Sequence, residues 1–207
     1  MKRVIVILTT ILVSSFSLFA QTMSEEQIKD EVYNVIKGIH SLQCDFIQTK
    51  CVRMLAEPSV SYGAMAYQQE RKLRWEYKRP FSHTFILNDT QVQIQDKNGK
   101  ENIDVEKSRI FKEVVKMMND DILGQSLKEG KLFSVTCTAD NNEYIATLSS
   151  QNKRTKSLFS TIVLHIDRVK RVLTTIEISS KGGDTSKLSF HNIVVNSSVD
   201  NTLFNIN

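Results

Sequence analysis

The chain has 207 residues, with 27 Lys and Arg against 23 Asp and Glu, a formal net charge of +4. Lys2 and Arg3 supply half of that excess, so the pI of 8.9 overstates the basicity, and interspersed charges on the remaining +2 imply no nucleic-acid partner. Three cysteines without a spacing pattern exclude a disulfide framework, and the length, with no linker or internal repeat, fits one domain after any leader is removed.

In chain order, Lys2 and Arg3 precede an apolar run, Val4 to Val13, broken only by Thr9 and Thr10, and the stretch after it ends in Ala20 before Gln21. This reads as an export signal over 1–20, cleaved after Ala20, with 21–207 as the mature domain in the periplasm. The run is too short for a spanning helix, which needs about 20 residues. Leu18, three positions before the cut, is larger than usual there, so a retained anchor is the competing reading. The first cysteine is Cys44, so acylation at the mature N-terminus is not expected.

Ser24-Glu-Glu-Gln27 is a capping box, and Ile28, Val32, Val35, Ile36 and Ile39 follow at helical spacing, which predicts a helix over 24–40 ending near Gly38. The period then changes to two. Strands are expected at 43–52, 59–68, 72–78, 83–88, 91–96 and 101–105, then at 131–138, 143–150, 159–167, 171–179 and 186–195. Asn88-Asp-Thr, Asn98-Gly99, Asn141-Asn142 and Gly182-Gly183-Asp184 supply hairpin turns between them. Between the sixth and seventh strands, Ser108 to Lys128 has helical period in its first half, with Asn119-Asp-Asp121 as a break before a second short helix. The fold class is therefore mainly β, with α+β character: one antiparallel sheet of about eleven strands, apolar on one face, curled beneath helices that cover its concave side.

No constellation for catalysis is present: no nucleophile elbow, no phosphate loop, no zinc-protease helix and no defensible pair of general acid and base. Cys44 and Cys51, seven apart on one strand, lie on opposite faces about 23 Å from each other, beyond disulfide reach. Cys137 alternates with Phe133 and Val135 as a core residue. His165 and His191 are placed on one outward face near Thr175, about 10 Å apart, too far for a shared zinc. The basic loops Lys153 to Lys156 and Arg168 to Arg171 read as solvated turns. The chain is accordingly expected to be neither an enzyme nor a cofactor protein.

Leu73, Trp75 and Tyr77 alternate with Lys72, Arg74, Glu76 and Lys78, giving an apolar edge pointing inward and a charged edge pointing to water. With Gly63-Ala-Met-Ala-Tyr67 before it, Pro80 after it, Phe46-Ile-Gln48 upstream and a helix and export signal ahead of that, this region resembles the periplasmic outer-membrane lipoprotein carrier family, the LolA type. The resemblance implies a half-open barrel lidded by helices, whose hydrophobic hollow shelters lipoprotein acyl chains. It also implies a monomeric carrier between an inner-membrane lipoprotein-releasing transporter and an outer-membrane receptor. The segment Val199 to Ile206 resembles the apolar piece that closes such domains. Members carry an Arg-Pro pair before the Trp strand, and its arginine bonds to the lid; here Gln69 and Glu70 stand there, without the charge and fork of arginine.

The candidate acyl-chain-lining residues are Phe46, Met65, Leu73, Trp75, Tyr77, Phe85, Leu87, Ile94, Val114, Met117, Met118 and Leu164. Periodicity alone leaves two readings open: these side chains fill a core beneath the helices, or they line a cavity for hydrocarbon. The Met117–Met118 pair, whose thioethers re-pack around variable ligands, leans toward the cavity, as does the resemblance. Within the same fold, the alternatives to a lipoprotein carrier are an envelope sensor or regulatory binding module, and a shuttle for a glycolipid or pigment ester. Sensors commonly append a domain; a chain ending soon after Phe204 fits the carrier expectation.

Overall fold

The computed structural model describes residues 23–69, 71–104, 133–151, 156 and 159–206. The expected export segment 1–20, the expected helical insert 108–128 with Val114, Met117 and Met118, Glu70, and residues 152–155 of the basic stretch lie outside the described residues.

Helix α1 (Glu25–Lys37) starts where the capping box sets it: Gln27 N–H donates to Ser24 Oγ at 3.2 Å, and Ser24 N–H donates back to Gln27 Oε1 at 2.8 Å. Glu25 and Glu26 in the first turn and Lys37 in the last complement the helix dipole. The helix stops at Lys37, short of the expected 40, because Gly38 caps it and its N–H returns to the Asn34 carbonyl at 3.1 Å.

The sheet has eleven strands: β1 (Ser41–Cys51), β2 (Ser59–Gln68), β3 (Lys72–Arg79), β4 (His83–Asn88), β5 (Gln91–Asp96), β6 (Gly99–Asp104), β7 (Phe133–Ala139), β8 (Glu143–Ser150), β9 (Thr161–Asp167), β10 (Val172–Ser179) and β11 (Thr185–Val195). All pairs are antiparallel, in the order β6-β5-β4-β3-β2-β1-β11-β10-β9-β8-β7, and the sheet is not closed. Two meanders thus meet at the β1–β11 ladder. Turn chemistry fixes their registers: Gly183 has φ +90, and Asp184 N–H bonds the Ser180 hydroxyl at 3.2 Å, as the Gly-Gly-Asp turn requires.

The inner face is largely apolar, but only part of it lies under α1. Ile28, Val32 and Val35 pack on Phe133, Cys137, Tyr144, Leu148, Ile162, Leu164 and Ile166 of β7–β9, a cluster in which Val32, Phe133, Leu148 and Ile166 have no exposure. Of the helices expected across the concave face, the one expected at 108–128 lies outside the described residues, and α1, among them, covers one end of the sheet. At that end its length and narrow apolar stripe are matched to about three strands.

The outer face is not uniformly wet. Phe204, fully buried, belongs to a 3₁₀ turn (Asn201–Phe204) packed on β3 and β4. Lys72 Nζ donates to Asn201 Oδ1 at 2.9 Å, Arg74 Nη1 to the Leu203 carbonyl at 3.4 Å, and Asn88 Nδ2 to the Phe204 carbonyl at 3.2 Å. Arg74 and Glu76, expected to point to water, do point outward; under this turn their side chains are only 25% and 32% exposed and pair at 3.1 Å. The alternation marked their face correctly, and a distant C-terminal segment then covered it.

Candidate functional site

Cross-strand register arranges the inner face of β1–β6 into three rows. One runs Phe190, Phe46, Gly63, Tyr77, His83; the next Cys44, Met65, Trp75, Phe85, Ile94; the third Leu42, Tyr67, Leu73, Leu87, Val92, Ile103. The predicted Phe46, Met65, Leu73, Trp75, Tyr77, Phe85, Leu87 and Ile94 are brought together on this surface. Leu164 is not with them: it sits in the cluster under α1 at 3% exposure. Phe46 and Leu87 are also fully packed, at 1% and 0%, so they form the floor. Met65, Leu73, Trp75, Tyr77, Phe85 and Ile94 are half-buried and form the surface itself.

The floor depends on one missing side chain. Gly63 is buried opposite Phe46, and a Cβ there would overlap both the Phe46 ring and the Glu76 carbonyl of β3. Without it, Phe46 lies against the β2 backbone with its centroid 4.6 Å from Trp75 (planes at 35°) and 5.2 Å from Tyr77 (edge-on, 83°). His83 stacks on the outer side of Tyr77 at 4.2 Å. Offset and edge contacts of this kind add about 0.5–1.5 kcal/mol per pair beyond the buried area.

Polar groups border this aromatic patch. Tyr77 OH donates to Gln48 Oε1 at 2.7 Å, and Gln48 Nε2 donates on to Ser186 Oγ at 2.8 Å, a chain linking β3, β1 and β11. Burial pushes the Tyr77 phenol up, partly offset by Trp75 and Gln48, and burial raises Tyr67 as well. Trp75 Nε1 lies near that phenol without meeting hydrogen-bond geometry and is a buried donor with no partner among the described residues. Alternation marks Trp75 and Tyr77 in the sequence; Gln48, Ser186 and His83 join them only through register, and Gly63 only through the ring opposite.

Burial pushes the Cys44 thiol up to about 12, with Asp45 adding to it, and the Cys137 thiol to about 11. The thiolate is the reactive form, and Cys51 alone is exposed. Alkylation of the native protein at mildly alkaline pH should add one group, at Cys51, and denaturation should open all three thiols; intact mass reads the count. More than one adduct on the native fold would contradict this packing.

Gln69 meets no lid among the described residues. Its Oε1 lies 2.7 Å from His40 Nδ1, and its N–H donates to the His40 carbonyl at 2.8 Å, which fastens it to the α1–β1 junction. His165 contacts Glu143 at 3.1 Å, and across β10 Thr175 faces Ser189 rather than His191, which pairs with Asp45. His165 does face Thr175, as expected, and His191 is corrected to a position two residues beyond the one that faces it. Among the described residues no group of three or more metal-ligating side chains is assembled.

Among the described residues the fold is thus an open antiparallel sheet of eleven strands with one helix on its inner face and an aromatic patch beside it. The family model described as outer membrane lipoprotein carrier protein LolA matches residues 37–207, and the chain belongs to that family. No curated relative matches it in sequence. Among solved structures it is similar to a chain of the Pseudomonas aeruginosa MucA/MucB complex, at 9% identity and TM-score 0.55, covering 88% of this chain and 61% of that one. An uncharacterized conserved protein from Thermus thermophilus is similar at 10% identity and TM-score 0.54, covering 89% and 95%. A LolA superfamily protein from Nitrosomonas europaea aligns over 89% and 98% at 6% identity and TM-score 0.44.

Proposed function

We propose that this chain is a periplasmic carrier, exported with removal of residues 1–20, that holds the acyl chains of lipoproteins against the inner face of β1–β6 and moves them from the inner to the outer membrane. The observation that carries the reading is the contrast across one sheet. Under α1 the apolar side chains are closed off, whereas Met65, Leu73, Trp75, Tyr77, Phe85 and Ile94 remain half-exposed on a continuous apolar surface.

Transfer of acyl chains from water gains about 0.8 kcal/mol per methylene, so a lipoprotein leaves a bilayer only for a surface of comparable apolarity. Such a carrier needs no bond chemistry; cargo passes to whichever partner binds it more tightly. A releasing transporter at the inner membrane and a receptor at the outer membrane would be the donor and acceptor.

A protein-binding envelope module is the second reading. It is motivated by the likeness to the MucA/MucB complex, of which the aligned chain is longer than this one. Mass spectrometry of material co-purifying with the exported protein separates the two. Acylated lipoproteins or their diacyl peptides support the carrier; an unacylated protein partner without lipid would replace it with the module.

A further inference from the structure

We infer that the rim formed by the β1–β2 and β3–β4 turns is a docking surface for an anionic phospholipid membrane. β1 and β3 end here and β2 and β4 begin here, so the turns 52–58 and 80–82 project from one end of the sheet. At their tips Met54 is 94% exposed, Leu55 60% and Phe81 79%. They are fixed rather than loosely displayed. Leu55 N–H closes a turn on the Val52 carbonyl at 2.8 Å, and Arg53 N–H donates to Asp184 Oδ1 of the β10–β11 turn at 3.0 Å.

Cations surround these tips. Lys50, Arg53, Lys97 and Lys181 are exposed on the same end with no carboxylate at ion-pair distance among the described residues, and Arg79 is held over the Tyr62 ring at 4.4 Å. Three carboxylates share this end, Asp184, which accepts from the Arg53 backbone, Asp96, which accepts from that of Asn98 at 2.7 Å, and Glu57, so the five cations exceed them by two. The opposite rim offers the contrast. Val169 is 87% exposed there beside Arg168, Lys170 and Arg171, but Arg171 is bound to Glu31 at 2.7 Å, Lys170 to Asp167 at 4.0 Å, and Arg168 to the Asp140 carbonyl.

Separate apolar prongs within a ring of net positive charge fit a bilayer interface. The tips enter the headgroup–acyl boundary while Lys and Arg reach lipid phosphates. A protein partner of fixed shape is matched instead by a continuous, closely packed patch. This inference is independent of what the inner face holds, since it concerns the empty protein at a lipid surface.

The test is flotation of the purified, cargo-free protein with vesicles of phosphatidylcholine containing phosphatidylglycerol, against vesicles of phosphatidylcholine alone. Binding should require the anionic lipid and weaken as salt is raised. Neutralising Lys50 and Arg53 to glutamine should lower apparent affinity about thirtyfold at low salt, from the usual contribution of a cation near an anionic surface. The variant Met54→Ser, Leu55→Ser, Phe81→Ser should lose flotation with its melting temperature and far-UV spectrum unchanged, because these side chains are already in water. Val169→Ser should bind as the parent does. Absence of parent flotation with anionic vesicles would overturn the inference and assign the rim to a protein partner. Retained binding in the triple variant, or equal loss in Val169→Ser, would also overturn it.

Discussion

Replacing Phe85 by glutamate is expected to abolish acyl-chain uptake while leaving a folded protein. Phe85 stands between Trp75 and Ile94 in the middle row of the apolar face and is half-buried. In the empty protein a carboxylate there still reaches water, so the fold loses only part of an aromatic contact. When acyl chains cover the face, the carboxylate must be desolvated without a partner, at an effective cost of several kcal/mol. Each 1.4 kcal/mol is a factor of ten, so affinity should fall by about a hundredfold or more. Leu73→Glu, one row away, should behave alike, and Phe85→Leu should retain uptake. The readout is titration with a fluorescent fatty-acyl probe beside a thermal melt. Glutamate variants that bind like the parent would reduce this surface to ordinary core and remove the carrier proposal.

The second large effect falls on stability. Gly63→Ala should cost about 3 kcal/mol or more, at the upper end for overpacking, because one of the two overlaps is with backbone. The Glu76 carbonyl cannot rotate away as a side chain can, so β2 and β3 must separate or shift. In a protein of this size that lowers the melting temperature by about 10 °C. Shrinking Phe46 to leucine in the same chain should rescue only partly, since it relieves the ring and not the carbonyl. Gly182→Ala is the control: its added methyl meets only Ser180 Oγ, at 3.6 Å, and should change stability little. Equal melting temperatures for the two alanine variants would show that Gly63 is not the fulcrum of the aromatic floor.

Much of this architecture is legible in the residues. Turn chemistry bounds β2, β4, β5 and β8 at their observed ends, and the capping box places the start of α1. Period two puts Leu73, Trp75 and Tyr77 on one face. The reading fails where both faces of a strand are covered. Ile86 and Leu87 are adjacent and both buried, and a turn more than a hundred residues later packs on the outer side of β4. No local period can announce a neighbour so remote. The same reason explains Leu164: its alternation is that of Trp75, and only the placement of α1 separates a closed core from an open surface.

The pairing of β1 with β11 bears on when this protein can become itself during synthesis. Gln48 and Ser186 are bonded across that ladder yet stand 138 residues apart in the chain. Each meander can form hairpins as it emerges, but the seam between them waits for β11. Loop closure over such a span is slow compared with local hairpins. Neither meander holds that seam alone, so the step that joins them is deferred until both β1 and β11 have been made.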